Sequence, residues 1–309
     1  MTVAQIVGIA VLLVLLAGPA ALGLAGWYTA RRAPPAPGPR PGVGWRWRWT
    51  LMSALLYVLA FNLTFFIQEL FLVLPKAFTP GLRPTLFHNN HLWQGDNPLA
   101  SLFQGTGAIA TLLAGGVCAW LLRRGAGKSA ATRLFLFWMA YSGIFMALPQ
   151  VVIGVLSTQS DLGMAMVYLG LSQAAKVAAS VVALAVIPLI AGWLRQLLLG
   201  KVGDADRVAT ARGRNLLLLE LAVVPALLAL PAIFLFRIPR NWLEVAAVPV
   251  VVTIVGLVWM QAGAWRPGRA TGRVSGSSAA AAPLAWPLGA VAGLLVVFQL
   301  LLRPGVRFY

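Results

Sequence analysis

Phe61-Asn62-Leu63-Thr64-Phe65-Phe66-Ile67-Gln68-Glu69-Leu70 decides how this chain is read: it is the body of a membrane helix, and it contains a carboxylate. An ionisable side chain in such a run is costly, which makes Glu69 a functional suspect by default. The run leaves through Pro75-Lys76 and crosses Pro80-Gly81-Leu82-Arg83-Pro84. It then reaches the chain's only two histidines in His88-Asn89-Asn90-His91, followed by Trp93, Asp96 and a Gly-rich apolar segment. This is the one grouping with the residue types for acid–base or metal chemistry.

Working outward, 60% of the 309 residues are hydrophobic and 10% are charged, with a mean hydropathy of +0.84. That composition belongs to an integral membrane protein and leaves no large soluble domain. Apolar runs at Ile6–Tyr28, Leu51–Leu74, Ser101–Leu122, Leu134–Leu156, Leu162–Leu194, Leu216–Phe236, Trp242–Met260 and Leu284–Leu302 are each near or above the roughly 20 residues that cross a bilayer. The expectation is an all-α polytopic bundle of eight spans, a single domain over 1–309 with its core at 50–195 and a flexible linker at 264–283.

The formal charge of +17 in a soluble protein would suggest nucleic acid; here it marks loops. Arg31, Arg32, Arg40, Arg46 and Arg48 follow span one, and Arg123, Arg124, Lys128 and Arg133 follow span three. Arg195, Lys201, Arg207, Arg212 and Arg214 follow span five, and Arg266, Arg269 and Arg273 follow span seven. The positive-inside rule makes those loops cytoplasmic and both termini extracytoplasmic. The expected partner is the bilayer, with another membrane protein as a second and nucleic acid excluded. An Ala, Gly, Leu and Arg excess with few lysines points to a GC-rich bacterium, hence an inner membrane. Cys118 is the only cysteine, so there is neither a disulfide frame nor a thiolate metal site.

Individual positions sharpen this picture. Arg31 to Gly42 is a proline-rich connector that cannot be helical. Trp45-Arg46-Trp47-Arg48-Trp49 sets rings and cations at headgroup level, as an interfacial anchor or an anionic-lipid site. Glu69 lies about 27 Å along a helix begun at Leu51, near the outer surface, and shares a face with Asn62 and Phe65. Pro84 is expected to open a short helix through Trp93, with His88 and His91 on one face. Two histidines at that spacing bind metal if Asp96 or Glu69 joins them, and otherwise the Asn-rich turn satisfies its own backbone.

Gly107, Thr111 and Gly115 form a small-residue stripe for close helix packing. Gln150, beside Pro149, lies at a depth similar to Glu69 and is expected to reach the same polar spot as Gln68 and Glu69 or else to mark only a proline bend. Asp161 is expected to cap span five or to join the polar cluster. Lys176, about 22 Å further along, is expected to pair with Glu220 as a buried bridge or part of a proton path.

From span two to span five the chain resembles the site-2 protease family of intramembrane zinc metalloproteases. Gln68-Glu69-Leu70-Phe71-Leu72 stands in the register of that family's HExxH, Asn97-Pro98-Leu99-Ala100 and a Gly-rich span follow, and Ser160-Asp161-Leu162-Gly163 resembles its later aspartate motif. The departure is that Gln68 and Leu72 replace the two zinc-binding imidazoles. The resemblance implies Glu69 as general base for a bound water, and a rebuilt site would take zinc on His88, His91 and Asp96 or Asp161 for hydrolysis of a lipid or peptide bond. Two other classes stand beside it: transport or proton conduction through Glu69, Lys176 and Glu220, and a non-catalytic assembly partner.

Overall fold

The structure, a computed structural model, describes residues 2–32, 44–240, 242–266 and 283–309. The expected proline-rich connector lies outside the described residues from 33 onward, and the expected linker does so over 267–282.

In chain order the elements are α1 (Val3–Arg32), α2 (Trp47–Ala77), β1 (Arg83–Leu86), β2 (His91–Gln94), α3 (Leu99–Arg123), α4 (Ala130–Leu156) and α5 (Asp161–Tyr168). Then come α6 (Gln173–Lys201), α7 (Ala205–Ala209), α8 (Ala211–Arg237), α9 (Trp242–Ala262), α10 (Ala285–Leu302) and β3 (Val306–Arg307). Eight of these helices are long and apolar enough to cross a membrane, as expected. α2 and α4 form the centre, and α3, α6, α8 and α9 pack around them. α1 and α10 lie at the edge, with only 11% of their apolar windows buried against 72% for α2.

The burial of α2 follows from its polar residues. Ser53, Asn62, Thr64, Gln68 and Glu69 are all buried, because groups that hydrogen-bond lose less facing other helices than facing lipid tails. Ser53 donates to Leu221 O at 2.6 Å and accepts from Trp138 Nε1 at 2.9 Å. The small-residue stripe works as read. A Cβ on Gly115 would stand 2.9 Å from Ile144 N, and one on Gly143 would stand 2.5 Å from Thr111 O, so α3 and α4 meet backbone to backbone.

Two expectations are corrected. Pro84 does not open a helix: it lies in β1, and the stretch is a hairpin with Leu86 opposite His91 and Arg83 opposite Gln94. Gly95, at a positive φ of 106°, closes it where a Cβ would collide with Gly81 O. β3 then pairs with β1, giving the order β2-β1-β3. The fifth apolar run is likewise not one helix. It breaks after Tyr168 at Gly170, whose φ is +63°, and Ser172 caps a new helix by accepting from Ala175 N. Lys176 therefore sits in the first turn of α6.

A hydroxyl inserted into α9 holds the centre together. Tyr141 OH donates to Thr253 O at 2.7 Å and accepts from Leu257 N at 3.0 Å, bridging a turn of that helix. Gly256 leaves room beside it for the Phe145 ring. Tyr141→Phe strands an N–H and a C=O in an apolar setting, a loss of about 1–3 kcal/mol. Thermal unfolding in detergent should show a lower midpoint for that variant and none for Tyr168→Phe, whose side chain is exposed.

Candidate functional site

The end of α2 carries Gln68, Glu69, Leu72 and Lys76 on one face, by helical spacing. The hairpin folds over them. His91 Nδ1 lies 2.8 Å from Glu69 Oε2, and both side chains are buried. Its Nε2 lies 3.0 Å from Gln104 Oε1. Lys76, fully buried, donates to Leu72 O at 2.7 Å and to Gln104 Oε1 at 3.0 Å, and its ammonium lies 4.7 Å from the Trp93 ring centre. Trp93 in turn stacks on His91, with ring centres 5.8 Å apart.

These contacts fix the protons. A lysine ammonium only donates, so Gln104 must present its oxygen to Lys76, and the same oxygen faces His91 Nε2. Nε2 therefore carries hydrogen, and one further proton lies between His91 Nδ1 and Glu69 Oε2. Oε1 of Glu69 makes no hydrogen bond among the described residues, although the carboxylate lines a cavity of about 430 Å³.

That cavity is shared by several elements. Gln150 reaches it from α4, donating to Gln68 Oε1 at 2.9 Å and to Met146 O at 2.9 Å. Asp161 stands on its wall at the start of α5. It is not the cap, because Ser160 accepts from Gly163 N in that role. Arg237 and Arg240 enter from the turn between α8 and α9. The Arg237 guanidinium lies 4.1 Å from the Phe65 ring centre, and its Nε donates to Glu244 O at 3.2 Å. Arg240 forms an ion pair with Glu244.

The hairpin tip is stitched to that same turn. Asn89 Nδ2 donates to Arg237 O at 2.7 Å and to Pro239 O at 3.3 Å, and Arg240 Nη1 donates to Asn89 O at 2.8 Å. His88 points into this seam, 3.2 Å from Ile238 O. Burial, with Arg303, Arg237 and Arg240 nearby, holds its pKa below the ordinary value against the pull of that hydrogen bond, so the ring is neutral and Nε2–H donates.

The two histidines thus part company: His91 meets Glu69, and His88 does not. Asp96 is exposed. Among the described residues no three His, Cys, Asp or Glu side chains converge to hold a metal, and the residues present do not fit a zinc ion. Lys176 and Glu220 do not pair either. Glu220 takes Arg46 at 2.8 Å and Arg207 at 3.0 Å, and Arg207 follows the far end of α6. Lys176, in the first turn of that helix, is roughly 38 Å away along the axis.

The sequence reading missed Lys76, Gln104, Asn89, Arg237 and Arg240. Lys76 was legible as a lone cation directly after an apolar run, and Arg237-Ile238-Pro239-Arg240 as the most charged turn on its side. No protein family, curated protein or solved structure matches the chain.

Asp161 is the strained member of the site. Burial foremost, then the Glu69 charge, raises its pKa from 3.8 to about 6, with His91, Lys76 and Arg240 opposing. Because the folded value is the higher one, the contribution to stability is complete below about pH 4 and is lost as pH rises through 6. Asp161→Asn should therefore be more stable than wild type at pH 7.5 by roughly 1–3 kcal/mol, seen as a higher unfolding temperature. The two should converge at pH 4, as followed by scanning fluorimetry.

Proposed function

We propose that this chain is a multi-pass protein of a bacterial inner membrane, with both termini extracytoplasmic, whose outward-facing cavity binds an amphiphile from the bilayer and presents it to the Glu69–His91 pair. The orientation is supported by the basic residues of the alternate loops. Three of the four buried arginines among the described residues, Arg195, Arg207 and Arg214, lie at the end away from the hairpin: Arg195 donates to Gly263 O, and Arg214 donates to Ala264 O and Val208 O.

One observation carries the reading. The cavity that holds Glu69 and His91 is also walled by Ile153 of α4 and Val251 of α9, and both are exposed on the outer surface of their helices, at 44% and 39%. A cavity polar at the hairpin end and open sideways through apolar residues admits a molecule with a headgroup and a tail. It does not suit a polar solute arriving from water.

On this reading Glu69 keeps the role that the site-2 protease resemblance gives it, that of base toward a water in the cavity. His91 holds its carboxylate through the shared proton, and Lys76 and Gln104 hold His91. Hydrolysis of an acyl or related bond in the bound amphiphile is the reaction class. No step runs through zinc.

The test uses the full chain in vesicles with a fluorogenic long-chain ester. Wild type should release the fluorophore, and Glu69→Gln should be slower by roughly 10²-fold or more, the usual size of a lost general base. Ile153→Trp with Val251→Trp should block entry while leaving the thermal midpoint in place, since both side chains face outward. Equal rates for wild type and Glu69→Gln would overturn the catalytic part. Lipid retention unchanged by the double tryptophan variant would overturn the lateral entrance.

A further inference from the structure

The charges on the cavity wall do not all cancel within the protein. Glu244 is paired with Arg240 and Glu69 with His91. Lys76 directs its donors to Leu72 O and Gln104, behind the imidazole. That leaves one cation and one anion on the wall.

The cation is Arg237. It is 4% exposed, and its Nη1 is buried with no hydrogen-bond partner among the described residues. A guanidinium nitrogen removed from water without a partner is expensive, and a charge-assisted bond to a bound anion restores what was lost. The anion is Asp161, whose carboxylate lines the cavity and makes neither a hydrogen bond nor an ion pair among the described residues. No ion pair joins the two, so each is free to take a separate group of one ligand.

From this we infer that the cavity recognises a zwitterionic phospholipid headgroup bearing a phosphate and a primary ammonium. The phosphate is taken by Arg237, the ammonium by Asp161, and the acyl chains leave between Ile153 and Val251. A cavity of about 430 Å³ lies in the range of small-molecule sites and suits a headgroup with the first part of its tails. The opposed charges also discriminate. A quaternary ammonium has no N–H to donate to Asp161, and a glycerol headgroup leaves that carboxylate unpaired beside a second negative charge.

The inference rests on the amphiphile-binding reading, and the test separates the two. The full-length protein in detergent micelles is offered lipids with ethanolamine, choline or glycerol headgroups and identical chains, and retained lipid is counted by native mass spectrometry. The ethanolamine lipid should be retained at least about tenfold more than the other two, the difference one charge-assisted contact makes.

Arg237→Met should lose retention of all three. Asp161→Asn, which is expected to fold at least as well as wild type, should keep phosphate-dependent retention while losing the preference for ethanolamine. Lipid bound without headgroup preference, or a preference that survives Asp161→Asn, overturns this inference and leaves the broader reading standing. No retained lipid of any kind overturns both. Soluble phosphoethanolamine, titrated into lipid-free protein, should bind far more weakly than the lipid; equal affinity would make a free headgroup the ligand and overturn the bilayer as its source.

Discussion

The contact between His91 and Glu69 is the constraint on which the hairpin end of the molecule depends. A carboxylate at the buried end of an apolar helix needs either a proton or a partner, and the one cation on the same face of α2, Lys76, is directed to Leu72 O and Gln104 instead. The partner comes from the hairpin, which requires the loop after α2 to turn back over it. That return needs Gly81 and Gly95 where the backbone crosses itself, and the tip is secured by Asn89 against the α8–α9 turn. Gln104, in the turn that interrupts α3 between Phe103 and Thr106, then fixes the far side of the imidazole with Lys76 behind it. Helices α2 and α3 are thus joined through one ring, and α8 is joined to them through the hairpin tip.

Much of the architecture was legible because it follows from burial alone. Seven of the eight apolar runs each form one membrane-length helix and the fifth yields the eighth such helix after a break, and the stripe of Gly107, Thr111 and Gly115 becomes a close helix contact. Positions whose fate depends on a partner were less visible. His88-Asn89-Asn90-His91 reads as one helical turn on spacing, but Thr85-Leu86-Phe87 before it and Leu92-Trp93 after it are a strand pattern about an asparagine turn, and glycines close both ends. The long fifth run hid its break because Gly170 is one residue in an apolar stretch, while Ser172 four residues before Lys176 is an ordinary cap signal.

Spatial partners were the least legible of all. Glu220 and Lys176 are both single charges in apolar sequence, and chain order cannot tell that two arginines claim the first while the second stands at the other end of the bundle. Glu69 and His91 are 22 positions apart, near enough in sequence for proximity to follow from one reversal of the chain. Arg237 lies far along the chain, and its presence on the same wall depends on how α8 packs against α2.

Asp161 shows what such a site costs the fold. A carboxyl held near another negative charge and partly withdrawn from water opposes folding at neutral pH, so the cavity is maintained against a local penalty.

The strand that follows α10 has a mechanical consequence. α10 touches its neighbours over little of its surface, yet Val306 and Arg307 pair with β1 and Phe308 N donates to Pro84 O at 3.1 Å. One of the two most loosely held helices of the bundle is tethered by main chain to the sheet that seats the imidazole. Sideways drift of that helix in the plane of the bilayer is therefore resisted at the sheet, and the load falls on the ring that neutralises Glu69.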